Sequence, residues 1–146
     1  MDKKYLELND INAYKIAFDL SNYIWDVVIK WDWFAKKHVG GQFIESADSI
    51  YANIAEGYGR YFKKDKIRFY HYSLGLLKEC FDWNEKSKVR NLLKDEEYHH
   101  IITELNKLPK ELHYLINYTN EKFNNKAIKQ CSSLAIHPVG YFFIIA

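Results

Sequence analysis

The sequence predicts an all-α fold, an up-down-up-down antiparallel four-helix bundle, and three observations lead there. The 146 residues include only 6 Gly and 2 Pro, so residues 1–39 and 42–56 contain neither, and 60–108 contain Gly75 alone. A β-sandwich or barrel of this length needs a turn roughly every 8–12 residues, usually marked by Gly, Pro, Asn or Asp. Strand–helix alternation, the mark of an α/β fold, is also missing. Instead, apolar residues recur at spacings of three and four through most of the chain. A hydrophobic content of 48% with 27% charged residues suits one soluble domain. A chain of this length buries about 68–70% of its unfolded surface, enough for a real core.

The first helix opens at Asn9 or Asp10, either of which is a good cap. Ile11, Tyr14, Phe18, Trp25 and Val28, with Ala17, Ile24 and Trp31 beside them, form a wide apolar stripe. An end is predicted near Phe34, before the corner at Gly40-Gly41. The second helix carries Phe43, Ala47, Ile50 and Ile54 and stops at Gly57, where glycine suits a left-handed C-terminal cap. The third starts after Lys63-Lys64-Asp65. Ile67, Tyr70, Leu74, Leu77 and Phe81 make one apolar face, and Phe69, Leu76 and Trp83 make another, with Tyr72 and Cys80 flanking. Two apolar faces predict burial from both sides, the second by another subunit. Gly75 costs about 0.8–1 kcal/mol in a helix interior, and close approach of a neighbouring helix would justify it.

The fourth helix opens at Asp95-Glu96-Glu97, acids that favour a helix N-terminus. Tyr98, Ile101, Leu105, Leu108, Leu112, Leu115 and Thr119 follow at alternating spacings of three and four, which is a bundle seam. Pro109 removes one helical hydrogen bond, so a bend is expected there. The bundle is expected over 1–130 and an uncharged apolar tail over 131–146, since the last sixteen residues contain no Asp, Glu, Lys or Arg. Such a tail packs on the bundle or on a neighbour, or is an incidental extension of the reading frame.

The net charge of +2 hides an asymmetry. Residues 57–94 hold ten Lys and Arg against four acids, a local net of +6. The basic residues gather as Arg60, Lys63, Lys64, Lys66 and Arg68 before the third helix and within its first turns, and as Lys86, Lys88, Arg90 and Lys94 towards its end. Tyr58, Tyr61 and Phe62 interleave the first group, as in surfaces that stack single-stranded bases. The plain alternative is a solvated helix end. Repetition around an oligomer would turn a +6 segment into a strong anion-binding surface whose affinity falls with salt.

Catalytic and metal signals are poor, and no cofactor, metal or catalytic residue is expected. Glu96-x-x-His99 matches the motif of di-iron bundles, but such a site needs two copies and two further Glu residues. No Gly-x-Ser-x-Gly turn and no phosphate-binding glycine loop occurs. Cys80 reads as a small core residue. No apolar run of about 20 residues is present to span a bilayer. Met1-Asp2-Lys3-Lys4 leads into a mixed polar helix rather than a signal peptide, which makes a cytoplasmic location with reduced thiols the expectation.

The stretch Asn53-Ile54-Ala55-Glu56-Gly57-Tyr58-Gly59-Arg60 stands apart. Glu56 and Arg60 are spaced to pair, and Asn53 is placed to satisfy open carbonyls or amides at the helix junction. A polar corner that fixes the angle between two helices is one reading, and direct ligand contact is the other. With Phe69 and Ser73-Leu74-Gly75-Leu76-Leu77-Lys78-Glu79, this stretch closely resembles the bacterial four-helix-bundle proteins encoded in intervening sequences of large-subunit ribosomal RNA genes. That family is taken to include the accessory variability determinant of diversity-generating retroelements. The resemblance covers about residues 10–125, and its motif falls on Asn53, Glu56, Gly57, Gly59, Arg60, Gly75 and Glu79. The tail, Pro109 and the modest net charge depart from it. It implies a ring-like homopentamer and, for the retroelement branch, a basic surface that engages reverse transcriptase and template RNA.

The expected function is therefore a non-enzymatic homo-oligomer that binds RNA or an RNA-associated protein, with no membrane and no small-molecule substrate. Arg60, Lys63, Lys64, Lys66 and Arg68 would contact phosphate while Asn53 and Glu56 hold the corner. The alternative is a protein-interaction scaffold, and a metal-dependent bundle enzyme is a third possibility.

Overall fold

A computed structural model describes residues 6–134, with side chains described through Lys126. Among these residues the chain forms four long helices and no strand. A short 3-10 turn, Leu8–Asp10, leads into α1 (Asn12–Val28). A brief helix α2 (Trp33–Ala35) and a π-helical segment (Lys36–Gly40) run without interruption into α3 (Gly41–Gly59). Then follow α4 (Lys63–Val89) and α5 (Asp95–Leu134). α1 and α4 each pack against both α3 and α5, so the four long helices enclose one core.

The seam of α5 lies where its spacing predicts. Ile101, Leu105, Leu108, Leu112, Leu115 and Thr119 are buried, and Tyr98 is half-buried. α5 is continuous through Pro109 and extends into the segment expected as a tail, of which 135–146 lie outside the described residues.

On α1 the buried stripe is Ala13, Ala17, Leu20, Ile24 and Val27, whereas Phe18 and Trp25 are exposed. Small residues win the centre because Ala13, Ala17 and Ser21 permit close helix approach. The aromatics settle at its edge, where Phe18 packs 5.9 Å from Tyr14 and 5.4 Å from Tyr51. α4 behaves alike. Its buried stripe, Tyr70, Ser73, Leu77, Cys80, Asn84 and Ser87, alternates by three and four. Leu74 and Phe81 flank it half-buried on one side, and Leu76 and Trp83 do so on the other. The first predicted face thus supplies Tyr70 and Leu77 to the core stripe and Leu74 and Phe81 to one shoulder, and Leu76 and Trp83 of the second face form the other shoulder.

Three glycine expectations change. Gly40-Gly41 is not the first corner, because the chain turns at Ile29–Asp32 and Asp32 caps α2 by accepting from the Ala35 N–H at 3.0 Å. Gly40 is helical and close-packed, since a Cβ there would lie 2.5 Å from Val28 Cγ1. Gly57 is no left-handed cap either. It is buried within α3, and a Cβ would meet the Tyr70 ring at 2.6 Å and the Lys66 carbonyl at 2.9 Å. Among the described residues no atom lies within 4 Å of a Cβ at Gly75, so no described helix packs closely against it there. The left-handed position belongs to Asn91 (φ 56°), which ends α4. Asn91 N–H donates to the Lys88 carbonyl and Leu92 N–H to the Ser87 carbonyl, a Schellman closure.

Candidate nucleic-acid interface

The corner between α3 and α4 is only three residues long. Arg60 leaves the helix in extended conformation (φ −69°, ψ 144°), and its N–H still reaches the Glu56 and Gly57 carbonyls at 3.2 and 3.3 Å. Tyr61 and Phe62 then project into solvent at 85% and 66% exposure, with ring centroids 5.2 Å apart. Their planes stand near perpendicular (89°), so two exposed aromatic rings sit edge to face between Arg60 and Lys63.

The five predicted basic residues gather at this end of the molecule but differ in what they touch. Arg60 pairs with Glu56 and lies 4.8 Å over the Phe69 ring. Arg68 shares that ring at 5.8 Å and meets Asp65 at 3.6 Å. Lys63 donates to the Asn124 side-chain oxygen on α5 at 3.1 Å. Lys64 is exposed and meets no acid among the described residues. Lys66 turns inward, donating to the Tyr58 carbonyl at 2.5 Å and the Gly57 carbonyl at 3.4 Å. Burial and the nearby Lys122 ammonium hold its pKa below the ordinary lysine value.

The motif residues separate into different jobs. Gly57 makes room for Tyr70, and Glu56 pairs with Arg60. Asn53 does not reach the junction, because its amide donates back to the Ser49 carbonyl of its own helix at 2.8 Å. The corner is closed instead by Lys66, Gly57 and Tyr58, whose hydroxyl donates to the Leu6 carbonyl at 2.8 Å. Asn53, Gly75 and Glu79 line a shallow groove between α3 and α4, shared with Tyr72 and Leu76. Gly59 is exposed with open space around it.

Sequence reasoning missed Lys122 and Lys126, which α5 brings to the same end as Lys66. A signal was present. The seam spacing continues past Thr119 onto these two positions, so lysines occupy core register where the bundle ends. The second basic group does not join the first. Lys64 and Lys88 are 24 residues apart on one helix, about 36 Å at 1.5 Å per residue. Lys88 is bound to Asp95, and Lys86 lies 3.6 Å from Asp82 and 4.2 Å over Trp83. No cluster of metal-ligating side chains and no helix apolar enough to cross a membrane occurs among the described residues.

Comparison with known proteins places the chain. The family model described as 23S rRNA-intervening sequence protein matches residues 9–114. A solved structure from Bacteroides thetaiotaomicron VPI-5482, a protein of unknown function from the S23 ribosomal protein family, is similar with a TM-score of 0.63. At 20% identity, covering 71% of this chain and 97% of that one, it shares the fold. No curated protein matches the sequence. The chain belongs to the 23S rRNA-intervening sequence protein family.

Proposed function

We propose that this member of the 23S rRNA-intervening sequence protein family is a non-enzymatic, oligomeric helical bundle. Its basic end engages RNA, or an RNA-associated protein such as a reverse transcriptase. The observation that carries this reading is the convergence of Arg60, Lys63, Lys64 and Arg68 with Lys122 and Lys126 of α5 beside exposed Tyr61 and Phe62. Cations supply phosphate affinity and aromatic faces take unstacked bases, a combination suited to single-stranded or looped RNA. Filter retention of a structured RNA at low salt, compared with a neutral control protein, tests it. Retention above the control is expected, and none would refute RNA binding.

The up-down-up-down path is supported by contacts that join the end of one helix to the start of the next: Lys66, early in α4, with the Gly57 and Tyr58 carbonyls late in α3, and Glu85, late in α4, with Tyr98, early in α5. Assembly into a ring, with five copies as the family resemblance implies, is supported by the outer shoulder of α4. There Tyr72 is 50% exposed beside the open groove at Gly75. A scaffold role without nucleic acid is favoured by a different feature, the exposed Trp25, Trp33 and Phe34 at the other end of α1 and on α2.

A further inference from the structure

We infer that the cleft walled by Lys66, Lys122 and Lys126 at the basic end of the bundle is a subsite for a terminal phosphate monoester, the end of an RNA chain or a free nucleotide. This rests on the reading of that end as the RNA-contacting surface and names what one part of it holds.

The cleft is about 190 Å³, and its described lining residues include no Asp or Glu. Three lysines therefore line one small space, and no described residue lining it is a carboxylate to balance them. Lys66 is already occupied by backbone carbonyls, which fix its position but do not neutralise it. Lysine carries three donors, so one remains for a ligand. Partial burial, and then crowding by Lys122, already disfavour the charged form of Lys66, a cost that a bound anion relieves. A monoester carries close to two negative charges at neutral pH, a better match to three lysines than the single charge of a diester.

Size and shape narrow the ligand further. Whole small-molecule ligands occupy pockets of roughly 300–1,000 Å³, so this cleft takes a phosphate with part of its sugar rather than an entire cofactor. Its floor is closed by the buried residues Tyr70, Leu115 and Thr119. A chain end fits such a blind recess. Tyr118 and Phe123 stand at the wall, each with a lysine ammonium 5.8 Å from its ring, and offer aromatic surface to the first nucleoside.

The test compares one short RNA bearing a 5′-phosphate, a 3′-phosphate or neither, bound to the full chain and to the variant K122Q/K126Q. Adenosine monophosphate and inorganic phosphate serve as competitors, and K110Q as a control on an exposed lysine elsewhere on α5. At least one phosphorylated end should bind about tenfold tighter than the hydroxyl form, as a charge-assisted contact provides. K122Q/K126Q should erase that preference and K110Q should not. Competition by adenosine monophosphate or phosphate that is lost in K122Q/K126Q marks a free-nucleotide source. RNA binding with no end preference and no such competition overturns the subsite while the surface stands. Phosphate binding lost in K122Q/K126Q, without retention of any RNA, leaves the subsite and removes the RNA surface.

Discussion

Gly57 and Gly75 carry the same side chain on neighbouring helices for opposite reasons. Gly57 has the Tyr70 ring and the Lys66 carbonyl where its Cβ would be, and backbone cannot swing aside. Gly57→Ala should cost about 1–3 kcal/mol through overpacking. Gly75 faces open space, so Gly75→Ala should stabilise the monomer by about 0.8–1 kcal/mol through helix propensity. Urea midpoints of the two variants measure both, and a loss in Gly75→Ala would place another chain against α4. Two buried groups set the alkaline limit. Burial pushes the Cys80 thiol and the Tyr70 hydroxyl up to about 12, from ordinary values of 9.0 and 10.0. The folded state keeps protons that the unfolded chain releases, so both contributions are full below pH 9 and are lost as the pH climbs towards 12. Thermal melts should show stability falling over that range, and Cys80→Ala should delay the onset of the fall.

At the level of helices, α4 holds an unresolved polar problem. Asn84 is fully buried, and among the described residues neither its amide nitrogen nor its oxygen has a hydrogen-bond partner; one turn on, the Ser87 hydroxyl has none among them either. An unpaired buried amide costs about 1–3 kcal/mol. Asn84→Leu should therefore raise stability by roughly 1 kcal/mol, or about 2–4 °C in Tm, and an unchanged or lower Tm would show that the amide is satisfied. These polar core positions also explain what the sequence hid. In α5 the seam was legible because every core position but Thr119 carries a large apolar or aromatic side chain. In α4 only Tyr70 and Leu77 of the six core positions are large, the other four being Ser, Cys and Asn, and the conspicuous Leu76 and Trp83 flank them, so one broad face looks like two. α1 misleads in the same way, its centre being alanine. The Glu56–Arg60 pair followed from spacing alone, whereas Lys122 and Lys126 required knowing where the bundle ends. The first corner misled because Gly40-Gly41 looked like a breaker, while close packing on Val28 is what requires Gly40.

For the whole molecule, an oligomer should cover the shoulder of α4 between Phe69 and Trp83. Light scattering is expected to give several times 17.5 kDa, and a monomer would remove the ring. The basic end is a claim about charge placed in space, and salt reads it directly. Titration of a structured RNA with the intact protein across about 50–200 mM salt should show affinity falling steeply, with a log–log slope that counts the phosphates contacted. The variant K64E/R68E should bind more weakly and with a shallower slope, whereas K86E, about 36 Å from the corner along α4 by the 1.5 Å rise, should match the unaltered protein. RNA affinity that does not change with salt, or that K86E lowers as much as K64E/R68E, would contradict an RNA surface at the α3–α4 corner.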